Sequence, residues 1–134
     1  MTASPKVVGE ISEGIVAAHL LRLGYSVSIP FGNSQRYDLI LDLGDSLQRV
    51  QVKTGRLSNG CVRFQTTARN TINGKRSSYH GLADLIMVYC PGTGKVYAVP
   101  VSEQTNASEM LLRVEPTRGG PTSTIKWARD YEFP

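Results

Sequence analysis

The chain is poor in the residue types that would indicate a metal-binding, disulfide-bonded or membrane protein. It has two cysteines, two histidines and one tryptophan in 134 residues. Neither Cys61 nor Cys90 belongs to a CxxC or Cys/His spacing, so no zinc site is predicted. No apolar run approaches the roughly 20 residues that span a bilayer, and the first residues, MTASPKVVGE, lack the apolar centre of a signal peptide. These absences predict a cytoplasmic protein with reduced cysteines and no membrane partner.

What the chain does contain is enough apolar sequence for one globular domain. Hydrophobic residues make up 40% of it, and its length suits a single domain spanning residues 1–134. The net charge is +4 and the pI is near 9.3. This basic bias is compatible with a nucleic-acid partner, but it indicates one only where the cations are grouped.

Local patterns predict one long helix followed by several strands. Ser4 and Pro5 are a typical helix start, the apolar stripe of VVGEISEGIVAAHLLRLGY follows, and Gly24 is a typical stop. The predicted strands are YSVSIPF, YDLILDL, LQRVQVKTG, CVRFQTT, ADLIMVYC and KVYAVPVSE. ARNTINGKRSSYHG is predicted to be a loop or a short helix, and SEQTNASEMLLRV to hold a short helix. The order predicts an α/β or α+β sheet with a helix packed on it.

Polar residues stand inside two of these apolar strands. In RVQVKTG, residues 49–55, alternation puts Gln51 and Lys53 on one face of the strand and the valines on the other. Asp38 lies at the start of YDLILDL. Taken separately, Asp38 fits a capping residue at a strand end, and the Gln51/Lys53 pair fits a solvated strand face.

The predicted hairpin joins these residues. With its turn at residues 44–46, reflection about residue 45 puts Val52 opposite Asp38, so that Gln51 and Lys53 bracket the aspartate. A carboxylate and an amide oxygen are ligands that Mg²⁺ accepts, and a lysine beside them can orient or deprotonate a water and stabilise phosphate charge. Metal-assisted phosphodiester hydrolysis requires these groups.

The first helix offers a second carboxylate. Glu13 shares the apolar stripe of Val16, Ala17 and Leu20, so it is predicted to face the sheet. Glu10 points in a less apolar direction and fits a surface glutamate in the first turns.

In order and spacing, GEISE, YDLI and QVK resemble the motifs of the PD-(D/E)xK nuclease superfamily. The similarity is greatest to archaeal Holliday-junction resolvases and small intron-encoded homing endonucleases. YHGLADLIMVYCPGTGKVYAVPV more loosely resembles the later strand pair, so the resemblance covers most of residues 6–102. It implies an α/β restriction-endonuclease-like core, a mixed central β-sheet flanked by helices.

The resemblance also implies roles for four site residues. Glu13, Asp38 and Gln51 correspond to metal ligands for Mg²⁺ or Mn²⁺, and Lys53 corresponds to the catalytic lysine. Gln51 stands where Asp or Glu is usual, although some homing endonucleases of the superfamily also have glutamine there. The site therefore has two carboxylates rather than three.

A basic polar segment follows the predicted catalytic strand. Residues 63–80, RFQTTARNTINGKRSSYH, contain no acidic residue and fit either DNA binding or a solvated surface. Tyr79 and His80 at its end are candidates to assist near the active face. The remaining candidate DNA contacts precede Asp38. The candidate DNA-binding residues are Ser34, Gln35, Arg36, Arg63, Arg69, Lys75 and Arg76.

Together these patterns predict a metal-dependent DNA endonuclease, either homing-type or junction-resolving. Most members of this superfamily that cut both strands do so as dimers or larger assemblies, so the resemblance implies a homodimer or higher homo-oligomer. The alternative is a non-catalytic DNA-binding protein on the same fold, because the neutral amide of Gln51 would bind a metal ion weakly.

Overall fold

The computed structural model of the chain describes residues 3–32, 35–69, 76–104, 107–117, 119–120 and 124–134, with the backbone alone at 69 and 76. These residues form helix α1 (Pro5–Arg22) and short 3-10 helices at Val101–Glu103 and Ala128–Asp130. The strands are β1 (Ser26–Ser28), β2 (Leu39–Asp42), β3 (Leu47–Thr54), β4 (Arg56–Ser58), β5 (Cys61–Gln65), β6 (Thr67–Arg69), β7 (Arg76–Ser78), β8 (Leu85–Cys90), β9 (Lys95–Pro100) and β10 (Glu109–Arg113). Within the described ranges, no helix is long and apolar enough to cross a membrane.

Helix α1 begins and ends where the sequence predicts. The Ser4 hydroxyl accepts the Val7 N–H at 3.4 Å, and Pro5 is the first helical residue. Gly24 follows the helix with a φ of 91°, a conformation that costs glycine little. Val16 and Leu20 are fully buried, so this stripe attaches the helix to the sheet.

The central sheet has five strands in the order β1-β2-β3-β8-β9. Strands β3 and β8 run parallel at its centre, with Val50 beside Leu85, and the other neighbours are antiparallel. The sheet is therefore mixed, as the α/β fold class predicts. Strand β3 has a neighbour on both sides, which holds its backbone rigidly.

Different layers cover the two faces of this sheet. Helix α1 covers the face that carries Val50 and Val52. The opposite face, which carries Ile86 and Val88, packs against the three-stranded sheet β10-β5-β4 through residues that include Phe64. Within the described residues, the layer opposite α1 is thus built from strands instead of a second α-helix.

Two local predictions are incomplete. SEQTNASEMLLRV begins inside the short 3-10 helix Val101–Glu103, but it also contains strand β10, which the sequence pattern did not predict. Met110 and Leu112 alternate with exposed residues in this strand and are buried against β5. The segment 68–81, predicted as a loop or helix, contributes to a two-stranded ribbon of β6 and β7. Residues 70–75 lie outside the described residues.

The end of the chain lies along the outer strand of the sheet. Ala98 N–H donates to Tyr131 O, and Phe133 N–H donates to Val96 O, each at 2.8 Å. Tyr131 packs against the core on one face of the sheet and Phe133 against the core on the other. The edge of β9 is therefore covered by the protein's own backbone.

Candidate active site

Asp38 lies immediately before β2 and is joined to β3 by two hydrogen bonds. Its N–H donates to Val50 O at 2.8 Å, and its carboxylate Oδ2 accepts the Val52 N–H at 2.7 Å. Val52 is the residue between Gln51 and Lys53. The Asp38 carboxylate thus contacts the backbone of the strand segment that carries both candidate side chains.

The predicted hairpin register is wrong by one residue. Leu39 pairs with Val50, which corresponds to reflection between residues 44 and 45 rather than about residue 45. The cause is the tight turn, in which Leu43 N–H donates to Ser46 O and Gly44 has a φ of 90°. Asp38 consequently meets Val52 through its side chain and not as a ladder partner.

Glu13 on α1 forms a carboxyl pair with Asp38. A side-chain hydrogen bond joins the two groups, and the pKa of Glu13 rises to about 7. Partial burial is the largest cause, followed by the bond to Asp38, repulsion from its charge and repulsion from Glu10. Of the two helix glutamates, Glu13 therefore contacts Asp38, whereas Glu10 acts on the pair only through its charge.

These two carboxyl groups line a cleft of about 260 Å³ beside the loop that precedes β2. Gln35, one of the candidate DNA contacts, lines the same cleft and is exposed. Phe31 lies in the same loop between Pro30 and Gly32, two residues that line the cleft, and is fully exposed. No sequence pattern predicted a role for Phe31. An isolated aromatic next to a proline and a glycine was the available signal.

Gln51 and Lys53 emerge on the face of the sheet opposite α1. Beside them in β8 lie Ile86 and Val88, which belong to the core on that face. The Gln51 amide Nε2 lies 3.4 Å from Val52 O. The Lys53 ammonium lies over the ring of Tyr79, 5.1 Å from the ring centroid. Alternation along β3 is therefore as predicted, while the catalytic roles of Gln51 and Lys53 stay predictions.

The backbone of β3 is also tied to α1 and to β8. Ser12 Oγ and Thr54 Oγ1 lie 2.5 Å apart between the helix and the strand. At the other end, Asp84 accepts three hydrogen bonds from Arg49, one from its N–H at 2.8 Å and two from its guanidinium. The pKa of Asp84 is lowered, chiefly by the side-chain bonds to Arg49. No local sequence pattern predicts these ties, because each joins residues distant in the chain.

The donor set fits a hard divalent cation. Glu13 and Asp38 are in contact, and a cation between them would offset the charge repulsion that, after burial and the hydrogen bond to Asp38, raises the pKa of Glu13. The described part of the chain holds no group of three or more His, Cys, Asp or Glu suited to a metal ion. A cation here would therefore take two carboxylates and complete its shell with neutral oxygens.

The candidate DNA-binding residues have different surroundings. Arg36 is half-buried beside the cleft. Arg63 is ion-paired with Glu109, Nη1 to Oε1 at 3.2 Å, so part of its charge is neutralised. The backbone register sets Arg69 opposite Arg76 across the ribbon. Ser34 and Lys75 lie outside the described residues.

Comparison with known proteins identifies the family. The profile of the PD-(D/E)XK endonuclease family matches residues 3–134. The solved structure of a bacterial homing endonuclease, I-Ssp6803I, is similar, with a TM-score of 0.78 and 26% sequence identity over 97% of this chain and 89% of that one. No curated protein matches the chain. The chain belongs to the PD-(D/E)XK endonuclease family, whose members are nucleases that generally use divalent metal ions.

Proposed function

We propose that the protein is a metal-dependent DNA endonuclease of the homing type that hydrolyses phosphodiester bonds at the cleft between α1 and β2. The contact between the Glu13 and Asp38 carboxyl groups carries this proposal, because it assembles a cation site against the strand of Gln51 and Lys53. The similarity to a bacterial homing endonuclease supports the homing type. A structural role explains one partly buried carboxyl group more easily than two in contact.

Glu13 and Asp38 would hold the cation, Mg²⁺ or Mn²⁺, with the Gln51 amide oxygen as a neutral third ligand. When bound, such an ion neutralises phosphate charge and makes a bound water more acidic. Asp38 keeps its orientation because the Val52 N–H holds one carboxylate oxygen at 2.7 Å.

Lys53 would supply the positive charge at the scissile phosphate and orient the attacking water. Its ammonium extends from a central strand that is paired on both sides, so its Cα has little freedom. A donor held in place before the reaction stabilises developing charge without the cost of reorganisation.

DNA would cross the cleft and the β6–β7 ribbon. Gln35 and Arg36 beside the cleft suit the phosphate next to the cut, and the exposed Phe31 ring suits a sugar or a base. A two-stranded ribbon has dimensions that fit the major groove. The further proposed DNA contacts are Ser34, Arg63, Arg69, Lys75 and Arg76.

A homodimer or higher homo-oligomer would bring two sites to a duplex, one for each strand. The described residues of each chain hold one such carboxyl pair, so cutting both strands at once would require two chains. Light scattering of the protein with and without DNA measures this assembly directly.

The test is a cleavage assay with the parent and Lys53→Ala. Both are incubated with plasmid DNA, a genomic fragment library and a four-way junction, in Mg²⁺, Mn²⁺ or EDTA. We expect metal-dependent cutting of duplex at a few library sites, lost in EDTA and in the variant. Preferential cutting of the junction would make the protein a resolvase. Tight DNA binding without cutting of any substrate would favour the non-catalytic alternative.

A further inference from the structure

The ring of Tyr79 forms a platform under the candidate catalytic lysine. Lys53 Nζ lies 5.1 Å from the ring centroid, within the range of a cation–π interaction. The tyrosine is 2% exposed and belongs to the core between the central sheet and β5. An ammonium that rests on a buried ring is partly shielded from water, which strengthens the attraction.

We infer that Tyr79 is a positioning residue for Lys53, acting through the face of its aromatic ring. This inference rests on the proposed function, in which Lys53 meets the scissile phosphate. A lysine side chain has four rotatable bonds and loses considerable entropy when it is held in one geometry. A fixed ring face reduces the volume that the ammonium samples, and the attraction uses the face of the ring rather than a hydrogen-bond acceptor.

The backbone around Tyr79 fixes the ring. Tyr79 O accepts the N–H groups of Leu82 and Ala83, at 2.9 and 3.0 Å, in the turn that leads from β7 to β8. Strand β8 then pairs with β3, where Val88 lies beside Lys53. Lys53 is therefore carried by a central strand and the ring by the turn that leads into the neighbouring strand β8, while the ring itself packs in the core beside that sheet.

The position of Tyr79 in the chain also connects the lysine to the ribbon. It is the first residue after β7, so the strand that would contact DNA leads directly into the residue that holds Lys53. Arg76, opposite Arg69 in the ribbon, is three residues from it. If the ribbon moved when DNA bound, the movement would displace the Tyr79 ring before it displaced β8, because Tyr79 lies between the two in the chain.

A tyrosine that only fills the core predicts different behaviour from one that positions a cation. Core filling depends on volume, and any buried apolar group of similar size supplies most of it. Positioning by the ring face requires π electrons. The hydroxyl is needed in neither case, so Tyr79→Phe is the conservative variant and Tyr79→Leu is the informative one.

The test measures single-turnover cleavage at saturating DNA in Mg²⁺, beside DNA affinity in Ca²⁺ and thermal unfolding. We expect Tyr79→Phe to cleave within about twofold of the parent, and Tyr79→Leu to be slower by about tenfold or more with its DNA affinity unchanged. Phe64→Leu is the matched control, because it loses an aromatic ring from the same core. It should lose stability but keep its cleavage rate.

If Tyr79→Leu does not fold, a second measurement varies the negative potential of the ring face without changing the size of the side chain. Phenylalanine carrying one, two or three fluorine atoms at position 79 keeps the shape but weakens the negative face of the ring. We expect the cleavage rate to fall stepwise along this series. A flat series, or a Phe64→Leu variant as slow as Tyr79→Leu, would overturn the inference. A parent protein that does not cleave, or that cleaves as well with Lys53→Ala, would instead refute the proposed function.

Discussion

Two substitutions of Asp38 separate its contribution to stability from its contribution to catalysis. Its carboxylate accepts the N–H of Val52, a buried residue, and also contacts Glu13. Asp38→Ala removes both interactions, whereas Asp38→Asn keeps an oxygen for the Val52 N–H and turns an amide N–H toward Glu13. The asparagine variant therefore removes charge without removing the hydrogen bond.

The magnitudes follow from these contacts. An unsatisfied buried N–H costs about 1–3 kcal/mol, so Asp38→Ala should lower the free energy of unfolding by about that amount. For a chain of this size that corresponds to a fall in Tm of roughly 4–12 °C. Asp38→Asn should be as stable as the parent or more stable, because it removes the repulsion between the carboxyl groups. Substitution of a residue that hydrogen-bonds to a metal ligand typically lowers metal affinity or activity about 10- to 100-fold. Loss of a direct ligand should therefore lower the cleavage rate at least about 100-fold in both variants.

The assay combines urea unfolding in EDTA with single-turnover cleavage and DNA affinity in Ca²⁺. We expect both variants to bind DNA, neither to cleave it, and only Asp38→Ala to be destabilised. If Asp38→Ala cleaved as the parent does, the site assignment would be wrong. If Asp38→Asn were destabilised as much as Asp38→Ala, the hydrogen bond from the Val52 N–H would not account for the contribution of Asp38 to stability.

Four further predictions concern the same cleft and its surroundings. Lys53→Ala should lower cleavage at least about 100-fold with DNA affinity reduced only a few-fold, measured by single turnover and by fluorescence anisotropy. Gln51→Glu adds a third carboxylate, so the Mg²⁺ concentration for half-maximal cleavage should fall; an unchanged Mg²⁺ titration would exclude Gln51 as a ligand. Because the pKa of Glu13 is raised from 4.5 to about 7, the folded state binds more protons than the unfolded state between these values, and stability in EDTA should fall as pH rises through about 7. Allowing for solvent screening, the loss should be on the order of 1 kcal/mol by urea unfolding at pH 5 and pH 8, and Glu13→Gln should abolish this dependence. Phe31→Ala should leave Tm unchanged, because the ring is fully exposed, and should weaken DNA binding about tenfold; equal affinity would remove Phe31 from the interface.

Local sequence signals predicted the parts of this structure that depend on local chemistry. Ser4, Pro5 and Gly24 bound the helix because capping and backbone freedom are properties of a few neighbouring residues. The alternation of Gln51 and Lys53 with the valines followed from the two-residue period of a strand, and the fold class followed from the order of the elements. The helix and strand predictions each used a single segment of the chain, and the fold class needed only the order of such segments.

Predictions that needed two segments were less complete. The register at Asp38 depended on the conformation of Gly44 in the turn, which the apolar pattern of the two strands does not encode. The ribbon of β6 and β7 has no apolar alternation, so its pairing left no periodic signal. The contact of Tyr79 with Lys53 requires the turn before β8 to return beneath β3, and no local pattern contains that information.

The excursion between β3 and β8 bears on how such an endonuclease changes its target during evolution. Residues 55–84 leave the central sheet and return to the strand beside their starting point, and both ends are fixed by backbone hydrogen bonds, Gly55 N–H to Tyr89 O and Asp84 N–H to Arg49 O. At Gly55 a Cβ atom would lie 2.7 Å from Val62 Cγ1, so the exit from β3 accepts only glycine without rearrangement. Core residues such as Val62, Phe64 and Tyr79 fix part of the excursion, so we expect divergence to be confined to its exposed positions. Changes at those positions leave both anchors in place, and recognition of a new site can then arise without loss of the chemistry.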